Sequence, residues 1–426
     1  MRRSLVATGA TVAVLTGGLL AFGALGGQTP QPDPTPSAVV VADPQAAAIA
    51  ALQSQVATKP TAETWAALGL AYVGKAKATG DPSWYAKAEG AVANSLKLGA
   101  TYPGWTGEAA LANARHDFRG AEAAARKGLA LNAYNSTLYG QLGDALTQLG
   151  RYDEAAAAID RMNQLQPGIP AFTRASYVFE LRGDVAGART ALERALTDAR
   201  SGPDIAFARY YLGELDLRYG AGAASALTQY QAGLAASPKD AILRAGRAKA
   251  EAALGQIDEA IADYRASVSA RPEPTTVLEF AQLLDSVGDK EATDFYDLFR
   301  VQLKLYAAAG VALDTEATLF EADHGTPAAA LTAAVAGWKS RPFVEMADAY
   351  AWALYSGGRY REALGWSAKA FASGWKPALA LYHRGMIEKA LGQRSAARAD
   401  LTEALRLDPH FDPLAVPKAR AALASL

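Results

Sequence analysis

The stretch STLYGQLGDALTQLGRYDEAAAAIDRMNQLQP, residues 136–167, constrains this chain more than any other. Its first half places Tyr139, Leu142, Gly143 and Leu146 three and four residues apart, so they share one face of a helix. Its second half carries Ala155 and Ile159 at the same kind of spacing and ends on Pro167, which cannot continue a helix. Between the halves Gly150 permits a tight reversal, and small Gly143 and Ala155 let the two helices approach closely. One such hairpin cannot bury its apolar face alone, so copies of it should flank it.

The copies can be traced by the alanine equivalent to Ala155. It recurs as Ala48, Ala88, Ala121, Ala155, Ala188, Ala226, Ala260, Ala292, Ala330, Ala363 and Ala397, at gaps of 32 to 40 residues. Alanine is common here, so its companions decide the matter. A large residue four places on and proline twelve on recur around Ala48, Ala155, Ala226, Ala260 and Ala397. Glycine five places before recurs as Gly150, Gly183, Gly255, Gly325, Gly358 and Gly392, where a helix–helix turn needs a left-handed residue. The third, sixth and tenth copies keep the pattern most fully; the second, residues 102–135, is degenerate. In the tenth, Arg384 stands where leucine is usual.

The full pattern, Trp65-x2-Leu68-Gly69-x2-Tyr72 in one copy and Tyr139 to Pro167 in another, resembles the tetratricopeptide repeat. The resemblance implies an all-α, right-handed α-solenoid of about ten helical hairpins. On this reading residues 45–60 form an N-terminal capping half-repeat, 61–410 the array, and 411–426 a C-terminal capping helix starting at Pro417. Irregular joints are expected as an insertion over 74–82, a longer loop over 201–205, and a lengthened helix from Glu291 towards Ala309.

Ahead of the array, Arg2 and Arg3 precede an uncharged run over residues 5–25, followed by small residues: the pattern of an export signal over 1–27. The run is also about long enough to stay in a bilayer as an anchor, and both readings stand. Residues 28–44, rich in proline, read as an extended linker. Either way the array is expected to be extracytoplasmic.

Composition removes several functions. Forty-two basic residues against 43 acidic ones leave a net charge of −1, without the basic stripe nucleic acid demands. With no cysteine there is no disulfide, thiol nucleophile or thiolate metal site. The four histidines are not paired at ligand spacing, and no phosphate loop or nucleophile elbow appears, so no metal, cofactor or catalytic residue is expected. The one cluster worth noting is Glu321-Ala322-Asp323-His324, from which a hydrolase reading would have to start. Its carboxylates, two apart, point to different faces of a helix.

In the family, first helices line a concave groove, with residues eleven or fifteen before the marker alanine facing it. Carried over, this nominates Gly140 and Asp144, Thr173 and Tyr177, Ala245 and Lys249, Gln282 by way of a shortened turn, Asp348 and Trp352, and Tyr382 and Met386, with Tyr355 on the same face as Trp352. The family's carboxylate clamp is missing, since Lys249 has no companions. The expected function is therefore that of a non-enzymatic scaffold holding a protein or peptide, with Tyr177, Trp352, Tyr355, Tyr382 and Met386 as the binding residues. The alternative is an envelope assembly factor anchored through residues 5–25.

Overall fold

A computed structural model describes residues 44–426. The expected export signal or anchor, and nearly all of the expected linker, lie outside the described residues. Among the described residues there are helices, turns and loops and no strand, and no helix is long and apolar enough to cross a membrane.

Ten helical hairpins follow one another over residues 62–98, 102–131, 136–165, 169–198, 202–236, 241–270, 274–308, 314–340, 344–370 and 378–407, preceded by the helix Pro44–Thr58 and followed by Ala415–Ala424. We number the hairpins one to ten. Many first helices start on a side-chain cap: Asn135 accepts from the Leu138 amide at 2.9 Å and Asp240 from the Leu243 amide at 3.0 Å. Nine of the marker alanines, Ala88 to Ala397 apart from Ala292, are fully buried between paired helices. Gly143 shows why: a methyl there would lie 2.7 Å from Ile159 of the facing helix.

The irregular joints differ in kind. The lengthened helix after Glu291 is present as Ala292–Ala308. Residues 201–205 are not a longer loop: Ser201 caps the helix Gly202–Arg218, which absorbs the extra residues. The insertion near 74–82 likewise extends a helix, Ala62–Thr79. The last helix begins at Ala415, ahead of Pro417, because Asp412 accepts from the Leu414 and Ala415 amides. Gly325 is the one marker glycine outside the left-handed region, at φ −117°. Thr326 caps the next helix and Pro327 enters its first turn instead.

In the second repeat the turn position is filled by His116, which holds φ +62° without being glycine. It is held from the far side of the molecule: its Nδ1 donates to the Ala312 carbonyl at 2.5 Å, 196 residues away. Such contacts recur in a fixed register. Tyr306 donates its hydroxyl to the Gly80 carbonyl at 3.1 Å. Arg341 donates to Gln148 at 3.0 Å, and the Val344 amide to the Tyr152 hydroxyl at 2.9 Å, across 193 and 192 residues. At Gly183 a methyl would stand 2.5 Å from the Gly374 carbonyl oxygen, and the Gly220 backbone faces Leu407.

The turns within hairpins one to five thus sit on the connections that follow hairpins six to ten. The array coils through one full superhelical turn in about five hairpins, and its second turn lies on its first along a continuous seam.

Candidate functional site

Coiling this tightly gathers the concave face into a half-open cavity of about 800 Å³, lined mainly by first helices of hairpins one to five together with residues of the second turn. That volume falls within the range of roughly 300–1,000 Å³ that ligand sites occupy. Its aromatic lining includes Tyr177, Phe207, Tyr210, Tyr211 and Tyr306, with Tyr85 and Phe118 beside them. Phe207 and Tyr211, one helical turn apart, meet edge to face with centroids 4.9 Å apart, and both leave a large part of the ring exposed to the cavity.

The polar wall holds five cationic and six anionic side chains, so the cavity is close to neutral. Most of these charges are spent on one another. Arg174 grips Asp144 through two bonds of 2.8 Å. Arg218 donates to Glu214 at 2.9 Å and reaches Glu180 at 3.4 Å, and Arg271 binds Glu273 at 2.6 Å. Behind them Lys249 bridges Glu214 at 2.8 Å and Glu279 at 3.3 Å. Burial alone would push the Glu214 carboxyl up. Lys249, Arg218 and the Tyr230 hydroxyl outweigh it and hold the group at about 2.

Two groups are poised differently. Glu345 accepts from the Tyr177 hydroxyl at 3.0 Å, and its burial raises the carboxyl more than Arg341 and Arg218 lower it. Burial lowers the Lys77 amine, Asp144 pulls it back up in part, and Arg174 lowers it further. A partner entering here meets aromatic faces and hydrogen-bonding groups whose charges already cancel.

The groove positions read from the sequence separate into two sets. Asp144, Thr173 and Tyr177 line the cavity. Trp352, Tyr355, Tyr382 and Met386 do not: they belong to the packed core of the last two hairpins. Trp352 is 7% exposed and Tyr382 2%. The Trp352 indole donates to Asp323 at 2.9 Å, stacks on Tyr355 at 4.5 Å and lies against His383 at 4.3 Å. Tyr382 packs on Phe411, at the start of the segment that doubles back to cap the array. As an aromatic peptide groove this set is corrected, because the rings' faces are taken by neighbouring repeats and by the cap. Asp348 is buried against His383 at 2.8 Å for the same reason.

The Glu321–His324 cluster also finds internal partners. Asp323 is held by Trp352, and His324 lies between Tyr296 and Phe320 with its imidazole lowered by burial. Among the described residues no three histidine, aspartate or glutamate side chains converge as metal ligands.

Sequence reasoning missed Phe207, Tyr210 and Tyr211. They lie on the helix Gly202–Arg218, whose extra residues the repeat spacing assigns to a loop, and the run FARYY within it is the available signal.

The tetratricopeptide repeat family model matches residues 136–168, 244–274 and 378–411, which are hairpins three, six and ten. Nothing among curated proteins matches the chain. Among solved structures it is similar to a tetratricopeptide repeat protein from Parabacteroides merdae, at 18% identity over 60% of this chain and 98% of that one, with a TM-score of 0.35. It is also similar to the human IFIT1 dimer with PPP-AAAA, at 14% identity over 85% and 87% of the two chains, with a TM-score of 0.47. A third is the APC/C hetero-tetramer Cut9-Hcn1, at 14% identity over 85% and 76%, with a TM-score of 0.40.

Proposed function

We propose that this chain, three of whose hairpins match the tetratricopeptide repeat family model, is an interaction scaffold that acts outside the cytoplasm and holds a segment of a protein partner in its concave cavity. The observation that carries this reading is the aromatic wall of Tyr177, Phe207, Tyr210 and Tyr211 in a nearly neutral cavity. Aromatic side chains give large contact area at low entropic cost, and the pre-paired charges leave hydrogen bonding without demanding a charged ligand. A cavity of about 800 Å³ suits a short stretch of chain rather than a folded domain.

Crosslinking in the producing cell, followed by mass spectrometry, identifies what is held. A Phe207→Ala/Tyr211→Ala variant should lose that product, while a Val335→Ala variant, exposed on the outer helix of hairpin eight, keeps it. Equal recovery from both would remove the cavity from the account. The extracytoplasmic placement rests on residues 1–27 and is tested by the mass of the mature N-terminus together with carbonate extraction of membranes. A free N-terminus near residue 27 selects a released protein, and an intact, membrane-retained chain selects the anchored alternative.

A further inference from the structure

The seam leaves two edges of the coil without a partner of their own kind. Turns of hairpins one to five rest on connections after hairpins six to ten, so the turns of hairpins six to ten and the connections before hairpins one to five face outward. Glycine surroundings draw the same line. Gly183 meets Gly374 across the seam, whereas Gly255, Gly288, Gly358 and Gly392, at the outward turns, have open space where a methyl would point.

The outward edges are nevertheless built like the docked ones. Leu149, just before the turn glycine of hairpin three, is 9% exposed and packs with Ala112, Phe118 and Ala121 of hairpin two. Leu254, in the same place in hairpin six, is 42% exposed, and Val287 in hairpin seven 46%. On the opposite edge Leu98, Tyr102, Leu131 and Tyr134 stand at consecutive connections, with Tyr134 76% exposed. Half of the large exposed apolar residues among those described lie on these two edges. Charge runs the same way on balance: Lys59 and Lys97 against Glu63 are exposed on the connection edge, and Asp258, Glu259 and Asp289 against Lys290 on the turn edge.

We propose that a second copy of this chain docks here. The turn edge of hairpins six and seven in one copy receives the connection edge around Leu98 to Tyr134 of the next. The contact continues the intramolecular seam from one molecule to another. It joins two different surfaces, so it is heterologous, and each added copy presents a fresh edge of each kind. The product is a polar stack along the superhelix axis whose length depends on concentration. Stacking covers the apolar residues that stand exposed on both edges of the single chain.

The test is sedimentation velocity on the full chain from low to high micromolar concentration, with two variants: Leu131→Glu/Tyr134→Glu on one edge and Leu254→Glu/Val287→Glu on the other. Circular dichroism and the unfolding midpoint verify that each variant folds, as exposed positions should allow. The wild-type chain should gain mass steadily with concentration, and each variant alone should stay at one copy. Their equimolar mixture should form a species of two copies and no more, because each variant supplies the edge the other has lost. A wild-type chain that stays monomeric throughout overturns the proposal. So does an assembly that neither variant weakens, or a mixture that fails to recombine.

Discussion

The seam can be measured with one methyl group. Gly183 and Gly392 occupy the same turn position with nearly the same backbone, φ +75° and +74°, but Gly183 lies in the seam and Gly392 faces open space. Gly392→Ala pays for a left-handed L-residue, about 1–2 kcal/mol. Part of this is offset by roughly 0.4–1 kcal/mol from a stiffer unfolded chain. The net cost is about 1 kcal/mol. Gly183→Ala carries the same backbone cost and in addition sets a methyl 2.5 Å from the Gly374 carbonyl oxygen, where ordinary contact begins at 3.4 Å. The seam must part locally by almost an ångström, an overpacking of about 1–3 kcal/mol. The expected total is about 2–4 kcal/mol, measured by urea unfolding beside the Gly392→Ala control. The Val344 amide, which spans the seam to Tyr152, should also exchange its hydrogen faster in Gly183→Ala and not in Gly392→Ala. Gly374→Ala meets the Arg182 carbonyl at the same 2.5 Å, so the double variant should cost less than the sum, since parting the seam once relieves both clashes. Equal costs for Gly183→Ala and Gly392→Ala, within about 0.5 kcal/mol, would refute the docking of the two turns.

Trp352→Ala should destabilise the chain by about 3–5 kcal/mol in thermal or urea unfolding, the cost of emptying a packed aromatic site and leaving Asp323 unpaired. Arg384 replaces the usual leucine because it grips Asp400 of the facing helix, and Arg247 does the same with Asp263 four hairpins earlier. Arg384→Leu alone should therefore cost about 2–3 kcal/mol, less than a fully buried pair. Arg384→Leu/Asp400→Ala should recover most of it, since Leu142 and Ala158 fill the same places in hairpin three. Burial, reinforced by Asp263 and Asp400, lifts the carboxyls of Glu251 and Glu388 to about 7. For an acid raised in the folded state, the penalty is complete above that value and is relieved as pH falls towards the ordinary carboxylate range of about 4.5. Glu251→Gln/Glu388→Gln should raise stability at pH 8 and flatten its rise between pH 7 and 4.5 in unfolding titrations.

The hairpins were legible because their causes are local. Residues three and four apart, a left-handed turn residue and a terminating proline are each written within one repeat, and Asp144, Thr173 and Tyr177 face the cavity where counting from the marker alanine puts them. The same counting misplaced Trp352 and Tyr382. It assumes a repeat with a free inner face, while at the end of the array the chain turns at Phe411 and spends that face on capping itself. The seam was not legible, because it depends on small rotations summed over five hairpins and no single repeat encodes their total. Its one trace was His116, a bulky residue where the pattern asks for glycine. A side chain that accepts a left-handed backbone must be recompensed elsewhere, and here the Ala312 carbonyl does so.

Contacts across the seam also change what kind of folding problem the chain poses. An open solenoid is a one-dimensional system in which each repeat senses only its neighbours, so its ends can melt while its middle persists. Bonds between residues 192 to 196 apart add a second dimension: every hairpin of the first half has a neighbour in the second. Such a lattice has few free ends to unzip and raises the contact order well above that of an ordinary helical array. The N-terminal half therefore gains its full stability only once the hairpins that close over it are in place.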